Sequence, residues 1–165
     1  TDWLWASDLG TAQSGNVDAI FAWNATDQLW SGAADLGGFW DGDFEIGSGD
    51  VLWVNALTPA AFYSIGDMPA QNATYSLLTG LNTVMVPLNK SNLTWASEVG
   101  IDIGTSDAVF YWNNTDQLWG GAADLGGFWD GDFEVAIGYP LWVNSTAPVV
   151  WPSRAVMNAP LRTSK

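Results

Sequence analysis

The residues best suited to chemistry are Asp41-Gly42-Asp43-Phe44-Glu45, which recur as Asp130-Gly131-Asp132-Phe133-Glu134. If this segment is extended, its period of two puts Asp41, Asp43 and Glu45 on one face and Trp40, Phe44 and Ile46 on the other. Such an array of hard oxygen ligands, repeated at Asp130, Asp132 and Glu134 with Asp35 or Asp124 nearby, could hold structural Ca²⁺. It lacks the spacing of a calcium loop, no bidentate Glu follows at the required distance, and Asp-Gly is a tight-turn pair, so a solvated turn and strand face is favoured. Carboxylates two apart on a strand also lie about 7 Å from one another, which overlaps the separation used by inverting glycosidases. No cationic group is close in sequence to set a pKa or hold a substrate, so no catalytic residue is assigned and a non-enzymatic protein is expected.

Tryptophan is the second resource. There are 12 Trp in 165 residues, and exposed indoles could stack on sugars. Ten of them recur in pairs at 5/95, 23/112, 30/119, 40/129 and 53/142, as expected of core or inter-unit packing. Trp3 and Trp151, the unmatched pair near the two ends, are candidates for contacts at a junction between subunits.

A third signal is Asn-x-Ser/Thr. Six of the 11 Asn are acceptors, at Asn24, Asn72, Asn89, Asn92, Asn113 and Asn144, whereas 24 Ser and Thr in 165 residues would supply only one or two by chance. The excess argues for covalent N-glycans and places these Asn on the surface of a secreted, cell-surface protein. A chain that starts at Thr1 is expected to be a processed export product.

Charge and composition exclude much else. Eighteen acids against four bases give a net charge of −14, which would repel nucleic acid and anionic lipid surfaces. The absence of His and Cys excludes zinc fingers, Cys nucleophiles, His-based triads and disulfides. No run reaches the roughly 20 apolar residues of a membrane span. A hydrophobic content of 48% can nonetheless fill a core without covalent staples.

The elements that position these residues are repeated. Residues 23–45 recur at 112–134 with 21 of 23 identical, and the match extends to Trp5-Ala6-Ser7 against Trp95-Ala96-Ser97 and Leu52-Trp53-Val54-Asn55 against Leu141-Trp142-Val143-Asn144. Val17, Ala19, Phe21 and Trp23 alternate with Asp18, Ile20 and Ala22, and a polar turn at 24–27 leads into Gln28-Leu29-Trp30, a hairpin pattern. Further strands are expected at 44–46, 51–55, 60–65, 74–78 and 82–87. Only residues 5–9 and 95–99 suggest helix, each ended by Gly10 or Gly100. The fold class expected is mainly β, with two similar β-sandwich or barrel-like units: a first repeat over 1–70, a second over 71–153, and a basic tail over 154–165.

The units differ at their openings. Before Trp95 the second unit has Thr74-Tyr75-Ser76-Leu77-Leu78 and Asn82-Thr83-Val84-Met85-Val86-Pro87-Leu88, but the first starts almost directly at Trp5. The first unit therefore lacks its opening strands. In the tail, Val156-Met157-Asn158-Ala159-Pro160-Leu161 aligns with Val84-Met85-Val86-Pro87-Leu88 if one residue is inserted. Arg154, Arg162 and Lys165 give this tail +3, whereas residues 1–153 carry −17. A unit missing one strand exposes unpaired backbone. A tail from the same molecule would close a monomer, and a tail from a neighbour would make an open head-to-tail chain. Subunit contacts are accordingly expected at Arg154, Val156, Met157, Pro160, Leu161, Arg162 and Lys165 as well as Trp3 and Trp151.

Gly80-Leu81-Asn82-Thr83-Val84-Met85-Val86-Pro87-Leu88, Asp107-Ala108-Val109-Phe110-Tyr111-Trp112 and Gly138-Tyr139-Pro140-Leu141-Trp142-Val143 resemble the tandem β repeats of microbial cell-surface proteins. Those repeats commonly open Gly-Trp-Asn-Leu and close Gly-Tyr-Trp-Val; here Leu81 replaces the Trp and Pro140-Leu141 interrupts the ending. The resemblance implies a surface or structural role, and the whole looks like a subunit of a glycosylated extracellular filament whose partners are copies of itself. A carbohydrate-binding module or a monomeric adhesin closed by its own tail is the alternative.

Overall fold

The computed structural model describes residues 5–13, 15–59, 61 and 73–153. The chain is mainly β, with three antiparallel sheets and two short helices among these residues. The expected segment 60–65, Trp3, Asn72 and the tail 154–165 lie in whole or in part outside the described residues.

The first sheet has the order β3-β2-β1-β4 and is built from β1 (Val17–Asn24), β2 (Leu29–Asp35), β3 (Trp40–Asp41) and β4 (Leu52–Ala56). The second has the order β6-β10-β7-β8-β9, from β6 (Gly80–Met85), β7 (Ser106–Asn113), β8 (Leu118–Asp124), β9 (Trp129–Asp130) and β10 (Pro140–Ser145). A two-stranded sheet joins β5 (Tyr75–Leu77) to β11 (Val149–Trp151). Sequence-matched strands pair alike: Trp23 faces Trp30 across β1 and β2, and Trp112 faces Trp119 across β7 and β8.

The expected hairpin forms because Asn24 caps its own turn. Its Oδ1 accepts the backbone N–H groups of Thr26 at 2.9 Å and Asp27 at 3.2 Å, and Asn113 does the same for Thr115 and Asp116. The faces differ from simple alternation, because the β1–β4 register shifts between Val17 and Ala19. That irregularity puts both Val17 and Ile20 in the core beneath α1 (Ala6–Ala12). Phe21 and Trp23 then point the other way.

Two expectations are corrected. The helices α1 and α2 (Ala96–Ile103) run through Gly10 and Gly100 instead of ending there. These glycines serve packing, since a Cβ at either would overlap the ring of Trp40 or Trp129. The stretch 44–46 is also not a strand of any length; only Glu45 bridges to Trp5, and Glu134 to Trp95. Gly42, at φ 73, turns the chain directly after β3, so Asp41, Asp43 and Glu45 do not line one extended face.

The two cores are unequal. The second contains thirteen buried residues, including Val84 and Val86 from β6 and its continuation, Val109, Leu141 and Val143. The first contains Ala6, Leu9, Val17, Ile20 and Ala33 among the described residues.

Candidate strand-docking site

The sheet order shows where the two units part. In the second, β10 is central, paired with β7 on one side and β6 on the other; its counterpart β4 pairs with β1 and is an edge among the described residues. The consequence appears at equivalent side chains. Val143 is fully buried opposite Asn82 of β6, whereas Val54 is 41% exposed. Leu141 is buried opposite Val84, and its counterpart Leu52 is half-buried. An apolar edge with an unpaired row of backbone groups is suited to accept a strand.

A strand added to that edge would take its register from the second unit. Val84 lies opposite Leu141, Asn82 opposite Val143 and Leu81 opposite Asn144, so the corresponding acceptor positions are Leu52, Val54 and Asn55. In that register an added antiparallel strand would begin beside Ala56 and end beside Val51.

A clamp that sequence reading missed reaches across from the opposite unit. Gln28, in the β1–β2 turn, donates from Nε2 to the Leu81 carbonyl at 2.9 Å and accepts the Leu81 N–H at 2.8 Å. Trp23 Nε1 donates to the same carbonyl at 2.8 Å. The β1–β2 turn of the first unit thus grips the edge strand of the second. Gln117 and Trp112 are the counterparts in the second unit. Gln117 Nε2 donates to Asn114 O at 2.7 Å, as Gln28 Nε2 does to Ala25 O, but among the described residues Gln117 Oε1 and Trp112 Nε1 have no hydrogen-bond partner. Both Gln residues adopt left-handed φ, 55° and 54°, which costs a residue with a Cβ about 1–2 kcal/mol and fixes the side chain over the turn. The only sequence signal is that Thr-Asp-Gln-Leu-Trp is kept in both units.

The tryptophans explain how one unit reaches the other. Trp23, Trp30 and Trp53 share the sheet face opposite α1, and Trp112, Trp119 and Trp142 share the corresponding face. Trp23 meets Trp142 at 4.7 Å between centroids and 47°, and the exchanged pair Trp53 and Trp112 repeats both values. Trp30 meets Trp142 at 5.0 Å, and Trp119 meets Trp53 at 5.7 Å. Reciprocal contacts of this kind define a two-fold-like arrangement, here within one chain. The sheets meet through six indoles, and Trp23, Trp30, Trp119 and Trp142 line a recess of about 420 Å³ with Leu81 and Phe110.

The remaining site residues fall elsewhere. Asp43 is occupied as a helix cap, with its carboxylate accepting from Ser7 N at 2.9 Å and Ser7 Oγ at 2.6 Å, and Asp132 does the same for Ser97. No group of three or more potential metal ligands occurs among the described residues. Asn89 and Asn92 are exposed, and Asn24 and Asn113 sit at hairpin turns. Asn24, Asn113 and Asn144 are all half-buried with Nδ2 donating to a carboxylate: Asn24 to Asp27 and Asn113 to Asp116 at 2.8 Å within their turns, and Asn144, in mid-strand on β10, to Asp107 Oδ1 at 2.7 Å. Asn55, which begins no acceptor motif, makes the matching bond to Asp18 at 2.6 Å. Trp151, expected at a junction, is corrected. It is 1% exposed inside its own unit, where it stacks on Tyr75 and donates to Asp102 Oδ2 at 2.6 Å, leaving no ring surface for a neighbour.

Fold and site together define a mainly β chain in which, among the described residues, β10 is paired on both sides and β4 on one. Comparison with protein families, characterised proteins and solved structures finds no match.

Proposed function

We propose that this is a secreted, N-glycosylated structural subunit that polymerises head to tail, the tail of one copy completing the first sheet of the next. The observation that carries the reading is the open edge at β4, where Val54 is 41% exposed while its counterpart Val143 is covered by β6. The tail 154–165 contains a β6-like sequence, and its +3 charge complements a body of −17.

The path of the chain favours a neighbour over self-closure. Trp151 pairs with Tyr75, whose hydroxyl donates to Gly49 O at 3.1 Å, so the chain leaves β11 near the approach to Leu52. The aligned register instead requires Ser153 opposite Asn55, at the far end of a strand that spans roughly 14 Å.

The alternative, a carbohydrate-binding module, draws on the tryptophan recess. The contacting pairs among the six indoles meet at 47° to 78°, so no contacting pair is the coplanar platform a sugar would favour. Electron microscopy of the full chain beside a chain ending at Ser153 tests the proposal. Filaments from the first and none from the second are expected; discrete particles from both, across concentration, would overturn it.

A further inference from the structure

Gln117 and Trp112 form half of a recognition site whose other half is known from its repeat. Around Gln28, the amide side chain and the Trp23 indole satisfy both backbone groups of Leu81 with three hydrogen bonds, although Leu81 belongs to the other unit. Nothing in this contact reads the Leu81 side chain; it reads an extended backbone at one register position. The same pair is built again at 112 and 117, on the same turn, with the same internal Gln-to-carbonyl bond at 2.7 Å and the same left-handed φ. The reciprocal indole contacts carry the equivalence across the molecule: Trp112 packs on Trp53 of β4 as Trp23 packs on Trp142 of β10. Gln117 and Trp112 therefore stand beside the open edge as Gln28 and Trp23 stand beside β6.

We infer that Gln117 and Trp112 are a backbone-reading clamp for a strand entering beside β4 from a second copy of this chain, gripping the N–H and carbonyl of the residue opposite Asn55. This rests on the polymerisation reading above and adds the residues that set its register. The tail alignment, with Val156 at the place of Val84, puts Ser153 of the incoming copy under the clamp. Gln117 Oε1 accepts the Ser153 N–H, and Gln117 Nε2 and Trp112 Nε1 donate to its carbonyl. Pro152, which aligns with Gly80, is buried in its own chain, so pairing of the entrant starts at Ser153. A slip by one residue would carry Val156 off the face it shares with Leu52, and a fixed grip at one backbone position opposes it.

The test measures, by sedimentation of the full chain, the concentration above which it assembles, together with the melting temperature of the unassembled protomer. Gln117→Ala and Trp112→Phe, the second keeping an aromatic ring but losing the N–H, are compared with Gln28→Ala. The Gln117 variant is expected to raise the assembly concentration about tenfold, in the range that loss of two hydrogen bonds gives, with only the small fall in melting temperature that loss of its bond to Asn114 brings. Trp112→Phe is expected to raise it by a smaller factor. Gln28→Ala is expected to lower the melting temperature, because its clamp is already closed within the chain. Assembly of Gln117→Ala at the wild-type concentration would overturn the clamp while leaving polymerisation standing. A wild-type chain that never assembles would overturn polymerisation, and the clamp with it.

Discussion

The carboxylate of Glu98 accepts the backbone N–H groups of Thr94 at 2.7 Å and Trp95 at 3.1 Å, and these bonds hold its pKa below the ordinary 4.5. A depressed folded-state pKa contributes stability above the unfolded value that is lost as pH falls through the folded one. Replacing Glu98 with Gln should therefore lower the melting temperature at neutral pH, with the deficit shrinking as pH falls below about 4.5. Thermal melts from pH 3 to 7 check this; a deficit independent of pH would contradict it. On the glycoprotein reading, the bond from Asn144 to Asp107 gives a second outcome at this scale. Its counterpart Asn55 keeps the same bond without an acceptor motif, so the side chain of Asn144 serves strand pairing. Glycopeptide mass spectrometry should find carbohydrate on exposed Asn89 and Asn92, with Asn144 bare. Single residues were also where sequence reading was weakest. Gly10 reads locally as a helix stop, but its reason is the ring of Trp40 some thirty residues on, a contact that local pattern does not carry.

At the scale of elements, β1 and β2 were legible, because alternation and an Asn-led turn are local physics. The offset between the two copies of the sequence raised the expectation of a missing opening strand, and among the described residues β4 pairs on one side only. The Gln28 clamp was not legible, since a Gln in a turn has no signature until the partner backbone is in place. The inequality of the two edges gives a direct comparison. Val143→Ala removes methyl groups from a closed core and should cost the protomer about 2 kcal/mol, whereas Val54→Ala in the unassembled protomer should cost about 0.5 kcal/mol or less. Chemical denaturation of both variants below the assembly concentration checks this. Equal losses would mean that Val54 is covered within its own chain.

For the whole molecule, six tryptophans replace the disulfides that a Cys-free chain cannot form. Their reciprocal contacts join the units, and the β1–β2 turn of the first lies over the edge strand β6 of the second. The sequence pairing of these tryptophans showed that they belong to packing, but not that they face one another, because repeats alone do not fix how their sheets stack. On this account the molecule is one closed half and one open half, and the tail of a neighbour closes the second. The absence of native Cys makes the decisive measurement clean. Leu52→Cys is placed in one chain and Val156→Cys in another, positions that match the directly opposed Leu141 and Val84. The two chains are mixed under assembly conditions and oxidised. The account predicts a disulfide-linked heterodimer of the two chains. No heterodimer on mixing, with a chain carrying both cysteines instead closing on itself as a monomer, would contradict it.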